Sequence, residues 1–184
     1  MKTVALSSLL LMATLTCTLT SCGDKNGAAT SGGSGSKADG TEAGAKQLLA
    51  GFVKPGADVK SLSASLRPSK ADYEAVFSSE FAAKAAALYD PAWDAGKLVL
   101  APKEGQTEVI LHGVPTADIK AWSQNASDDL PGGYKTIKDE FKGGNTVYAF
   151  KFVKPGETLG MAFDGLVFVN GHWIVVPKPF RAAN

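Results

Sequence analysis

Two hydrophobic periods divide the chain. Tyr73, Val76, Phe77, Phe81, Ala85 and Leu88 recur at helical spacing, while Lys70, Glu74, Ser78 and Lys84 take the other side. Ser69 stands at an N-cap position and Asp72 follows three residues on, a relative of the capping box. The pattern predicts one long helix from Ser69, ended or kinked at Asp90-Pro91, with Trp93 packing near its exit. Ahead of it, Ala45 to Phe52 reads as a short apolar helix stopped by Lys54-Pro55-Gly56. Asp58 to Leu66 adds a turn or two before Pro68.

The second half reads as strands. Lys97–Ala101 and Thr107–His112 are apolar-rich runs separated by the turn residues Pro102-Lys103-Glu104-Gly105. Thr116 can cap a short helix through Gln124, with Ile119 and Trp122 as its apolar contacts, and Asp128–Gly133 reads as a loop. Tyr134–Phe141 suits a helix by spacing and a strand by its flanking glycines. From Asn145 the alternation is clear: Tyr148, Phe150 and Phe152 against Val147, Ala149 and Lys151. Pro155-Gly156 turns the chain, Met161–Val169 returns, and Asn170-Gly171 is a strong two-residue hairpin signal before His172–Val176. These three strands form an antiparallel meander. Trp173 shares a face with Val175, and Ile174 with Val176. Trp is the costlier side chain to leave wet, so Trp173 is expected to point inward, toward Tyr73, Phe77 and Phe81. The pentapeptide Phe52-Val53-Lys54-Pro55-Gly56 recurs as Phe152-Val153-Lys154-Pro155-Gly156. No similarity extends beyond it, so shared turn chemistry explains it better than a repeat architecture.

Helices first, then an antiparallel sheet ending in a hairpin and a Trp-bearing strand: this order resembles the NTF2-like and cystatin-like folds. The resemblance covers residues 45–180 and implies an α+β domain, with N-terminal helices packed on a curved antiparallel sheet around a long helix. Such folds host enzymes, receptors and plain envelope domains, so function has to come from the residues.

The N-terminus adds an address. Met1-Lys2, an apolar stretch from Val4 to Leu19 and the small residues before Cys22 have the layout of a secretory signal peptide. The stretch is short for a transmembrane helix and is broken by several Ser and Thr. Leu19-Thr20-Ser21-Cys22 resembles the lipobox of bacterial lipoproteins. That resemblance implies removal of residues 1–21 and acylation of Cys22, palmitate being a typical chain. It also implies membrane attachment in the cell envelope. Gly23 stands where lipoproteins retained in the inner membrane carry Asp, which points to the outer membrane. Cys17 is a poorer candidate, because Thr14 stands where an aliphatic residue belongs.

Residues 22–44 hold the candidate lipidated Cys and a Gly-, Ser- and Ala-rich linker with no large apolar side chain. A flexible coil of that length spans roughly 25 Å. Residues 45–184 then form a single domain of ordinary size. Both cysteines precede it, so it contains no disulfide. Of 19 basic and 18 acidic residues only Lys2 leaves with the signal peptide, so the mature chain is formally neutral. A neutral balance excludes an electrostatic case for nucleic acid.

Candidate chemistry is sparse. His112 and His172 are too few and too isolated for a zinc site, and no phosphate loop, nucleophile elbow or dinucleotide fingerprint occurs. No metal, cofactor or catalytic residue is assigned. Asp164 interrupts an apolar strand beside Gly165; a bulge explains it better than a general base with a raised pKa. Asp72 fits helix-start electrostatics. Tyr73, Phe77, Trp93, Tyr148, Asp164 and Trp173 are the candidate ligand-binding residues, with a filled core as the alternative for the aromatics. The expectation is a lipid-anchored, non-enzymatic binding or structural domain, its partner a protein or a small apolar ligand. The alternative is a small NTF2-like enzyme using Asp164 with Tyr73 or His172. An open pocket with a buried carboxylate would favour the enzyme, and an exposed aromatic patch would favour a protein adaptor.

Overall fold

The computed structural model describes residues 39–184. The signal segment, Cys22 and the linker as far as residue 38 lie outside the described residues. The domain is α+β, as expected. Four helices come first: α1 (Glu42–Ala50), α2 (Val59–Ala64), α3 (Lys70–Val76) and α4 (Ser79–Asp94). Strand β1 (Glu108–Pro115), helices α5 (Thr116–Ala121) and α6 (Gln124–Asp129) and a 3-10 run (Gly132–Glu140) follow. Strands β2 (Thr146–Val153), β3 (Gly160–Val169) and β4 (His172–Val175) and a C-terminal 3-10 turn (Pro179–Ala183) complete it. The sheet is antiparallel in the order β1-β2-β3-β4. Among the described residues no helix is long and apolar enough to cross a membrane.

Helix α1 starts inside the segment expected as linker, because Thr41 caps it by accepting the Gly44 N–H at 3.2 Å. The predicted long helix is two helices. Ser69 and Asp72 form the capping box of α3, but Phe77 takes an extended conformation (φ −120°, ψ 165°). It then pairs as an isolated β-bridge with Phe141. The Ser78 N–H donates to the Glu140 carbonyl at 2.7 Å, and the Lys142 N–H to the Val76 carbonyl at 2.8 Å. Ser78 caps α4 through its hydroxyl, which accepts the Phe81 N–H. Helix α4 runs through Pro91 to Asp94, so Trp93 sits in its last turn, and Leu88 is exposed instead of facing the core.

Lys97–Ala101 is not a strand. It finds no ladder partner, and the Leu100 N–H donates instead to the buried Ser63 hydroxyl at 2.9 Å. Trp122 ends α5 in the left-handed conformation and Ser123 caps α6, so the single short helix expected from Thr116 through Gln124 is two, the second reaching Asp129 at the start of the expected loop. The Asn170-Gly171 hairpin forms with φ of 52° and 82°, the two positive values its turn type needs. The twin pentapeptides make the same turn: Gly56 and Gly156 both have φ 75°, and each turn closes from the residue after Gly to the Lys carbonyl. Phe52 and Phe152, which open the two copies, stack at 6.0 Å.

Both sheet faces are covered, and by different elements. Tyr148, Phe150, Phe152, Phe163, Phe168 and Trp173 share one face in two groups, Tyr148, Trp173 and Phe168 at one end and Phe150, Phe152 and Phe163 with Phe52 at the other, with ring contacts of 5.2 to 6.0 Å. Val147, Val167 and Val176 share the other, where Phe77, Phe141 and Tyr134 pack over them. Trp173 is buried as expected, 5 % exposed, but on the face away from Phe77. Alternation alone could not choose, because Trp173, Ile174, Val175 and Val176 are all buried.

Candidate ligand-binding cleft

The face that Phe77 covers is dry at one end and open at the other. Its large residues Val114, Val147 and Val167 give way along the strands to His112, Ala149, Lys151 and Ala162. His112 is paired with Ala149 across β1 and β2, and Lys151 with Ala162 across β2 and β3. The two alanines leave depth that valines would fill. The resulting cleft, about 600 Å³, is floored by these residues and Asp164. Asp128, Asp129, Leu130 and Pro131 wall it on one side, and Lys178, Phe180 and Arg181 on the other.

Asp164 is placed there by a bulge. The β2–β3 register slips between Tyr148–Leu166 and Phe150–Phe163, and Gly165 takes φ 82°. The bend read from Asp164-Gly165 is therefore real. Asp164 is 5 % exposed. Its Oδ1 accepts the Tyr134 hydroxyl at 2.8 Å and the Lys178 N–H at 2.7 Å. The second bond holds Lys178 in its left-handed conformation (φ 50°) and fixes the C-terminal turn. The Tyr89 hydroxyl, directed at the carbonyls of Pro177 and Lys178, holds the same turn from α4. Asp164 Oδ2 takes no bond from the described residues and is not sealed in, so it opens on the cleft. Burial pushes the Asp164 carboxyl above its usual range, against the pull of both donors and of the Lys178 and Arg181 charges. Burial also raises Tyr134 well above the ordinary phenol value, with the Asp164 charge adding to it, so Tyr134 remains a donor.

This geometry separates two substitutions. Asp164→Asn keeps an oxygen for both donors and is expected to stay within about 1 kcal/mol of wild type. Asp164→Ala strands a buried hydroxyl and a backbone N–H and should cost about 2–4 kcal/mol by chemical denaturation. Because the folded pKa is raised, ionising Asp164 costs stability as pH climbs from the ordinary carboxylate range through the raised value. Asp164→Asn should remove that slope.

Of the six candidate ligand-binding residues, only Asp164 lines the cleft. Tyr73 and Phe77 are core, the Tyr73 hydroxyl lying 3.4 Å from Asp90 Oδ1. Tyr148 and Trp173 pack against one another on the opposite face. Trp93 is buried, and its indole nitrogen has no hydrogen-bond partner among the described residues. The two residues expected to work with Asp164 are engaged elsewhere, Tyr73 with Asp90 and His172 with Asp72. His172 Nε2 lies 3.2 Å from Asp72 Oδ2, and the Asn170 side chain donates to Oδ1 at 2.7 Å. These contacts pin the β3–β4 hairpin to the start of α3. Burial alone would raise the Asp72 pKa, but the bonds from Ser69 and Asn170 and the His172 charge outweigh it and hold it low. His112 is at the cleft rim, its Nδ1 3.3 Å from Asp129 Oδ1.

No family model matches the chain, and no curated protein or solved structure matches it. The NTF2-like and cystatin-like likeness therefore rests on element order. Among the described residues no cluster of His, Cys, Asp and Glu has the makings of a metal site. The cleft residues that sequence reading missed include Asp129, Lys151, Lys178, Phe180 and Arg181. One signal was available: Lys178 lies between Pro177 and Pro179, where no strand can continue and the chain must turn over the sheet end.

Proposed function

We propose that this chain is an exported lipoprotein, held in the bacterial cell envelope by acyl chains on Cys22, whose domain binds a small ligand without transforming it. The outer membrane is the proposed location. The Leu19-Thr20-Ser21-Cys22 sequence supports the anchor, and the Gly-rich stretch after it supports a tethered domain. The observation that carries the binding reading is the open cleft over Asp164, with its charged walls and small-residue floor. The adaptor reading gains no support: the exposed large apolar side chains among the described residues are Leu88, Leu159 and Met161, none aromatic.

Cys22→Ala is expected to abolish incorporation of a fatty-acid analogue while leaving the domain folded, since the domain has no other cysteine to acylate. Label retained by that variant would overturn the anchor. For the cleft, a panel of small fragments followed by amide NMR should move the Ala149 and Ala162 resonances first. A panel that leaves both unmoved counts against a binding site there. A buried carboxylate opening on a cleft also favours the enzyme reading, with Asp164 as acid or base. A bound compound recovered unchanged after long incubation supports binding, and one recovered chemically altered supports the enzyme.

A further inference from the structure

The two walls of the cleft carry opposite charge. Helix α6 ends beside the β1 edge and brings Asp128 and Asp129 to one side. The C-terminal turn, tied to β3 through the Lys178 N–H, brings Lys178 and Arg181 to the other. Among the described residues the side chains of Lys151, Lys178 and Arg181 enter no ion pair and no hydrogen bond. Asp128 accepts only from Gln124, and Asp129 meets only His112. Charges of both signs thus line the cleft over a floor of alanines, the basic side chains without partners among the described residues, with Lys151 between the walls on β2.

The separation of the walls sets the ligand's length. One wall is anchored at β1 and the other at β3, two strand spacings apart, or roughly 10 Å. An extended peptide covers at most about 3.3–3.6 Å per residue, so roughly three residues reach from wall to wall. A simple anion would satisfy one wall and leave Asp129 and Asp164 Oδ2 opposing it. A single amino acid is too short to touch both. We propose that the cleft takes a short peptide with both ends free, its ammonium at Asp129 and its carboxylate at Lys178 and Arg181. In that pose Asp164 Oδ2 is open to a backbone N–H of the peptide, and Phe180 offers an apolar surface for a side chain.

This inference rests on the cleft being a binding site, and the experiment separates the two. The purified full chain in detergent is titrated calorimetrically with trialanine, with its N-acetyl form and with its C-terminal amide. Trialanine is expected to bind, and each blocked form to bind about ten-fold more weakly, the loss of one charge-assisted hydrogen bond. Asp129→Asn should erase the difference between trialanine and the N-acetyl form and keep that for the amide; Lys178→Gln combined with Arg181→Gln should do the reverse. Equal binding of all three forms, full displacement by inorganic phosphate, or no binding of trialanine overturns the peptide. The cleft reading falls only if the fragment panel also leaves Ala149 and Ala162 unmoved.

Discussion

Gly165→Ala should cost about 4 kcal/mol or more, at the far end of what single substitutions do. Two independent causes combine there. Gly165 holds φ 82°, a left-handed value that costs a residue with a Cβ roughly 1–2 kcal/mol. A Cβ at that position would also stand 2.0 Å from the Val176 carbonyl oxygen, which is backbone and cannot rotate away. The Gly165 carbonyl accepts the Val176 N–H at 2.9 Å, so relief by backbone movement would break the bond that continues the ladder beyond β4. Gly156 is the control. It has nearly the same φ, 75°, but nothing within 4 Å of its Cβ position. Gly156→Ala should therefore cost only the conformational part, about 1–2 kcal/mol. Equal losses in urea denaturation would remove the steric argument and with it the close approach of β3 to Val176. Because the bulge also aims Asp164, loss of Gly165 should disturb the cleft as well as the fold.

What the sequence made legible was local. Asn170-Gly171 demands two positive φ values and little else fits, so the hairpin was readable from two residues. Ser69 and Asp72 announced α3 in the same way, and Asp164-Gly165 announced the bulge. The misreadings came from partners distant in sequence. Phe77 fits the helical stripe, yet a bridge to Phe141 pulls it into an extended conformation. The local clue was Ser78-Ser79-Glu80, a helix start hidden inside a longer apolar pattern. Lys97–Ala101 has strand composition, but composition cannot supply a neighbouring strand.

The cleft was the least legible part for the same reason. Its floor comes from three strands, its acidic wall from α6, and its basic wall from a turn after the last strand. Apart from β2 and β3, no two of these elements are consecutive in the chain, so no motif spacing could reveal them. The aromatic residues suspected of binding are instead the material of the core. In a domain without disulfides their burial supplies stability that cross-links would otherwise provide.

Trp173→Ala measures that contribution directly, and is expected to cost about 3–5 kcal/mol. The indole is packed edge-on against Tyr148 at 5.6 Å and against Phe168 at 5.2 Å. Phe168 in turn lies under Gly40, where an added Cβ would meet its ring at 2.5 Å. Trp173 thus supports the chain just before α1, the point at which the domain emerges from the proposed tether. Removing it should lower overall stability by a large share of the roughly 5–15 kcal/mol typical of a domain. It should also loosen α1 before the rest, seen as early hydrogen exchange at Ala45 to Leu49. Trp173→Phe keeps a ring against Tyr148 and should recover at least half of the loss. A loss under about 1 kcal/mol for Trp173→Ala, the range of ordinary surface substitutions, would show that the cluster around Phe168 holds without its central ring. The face opposite Phe77 would then be stabilised chiefly by Phe52 and Phe152, at the other end of the sheet.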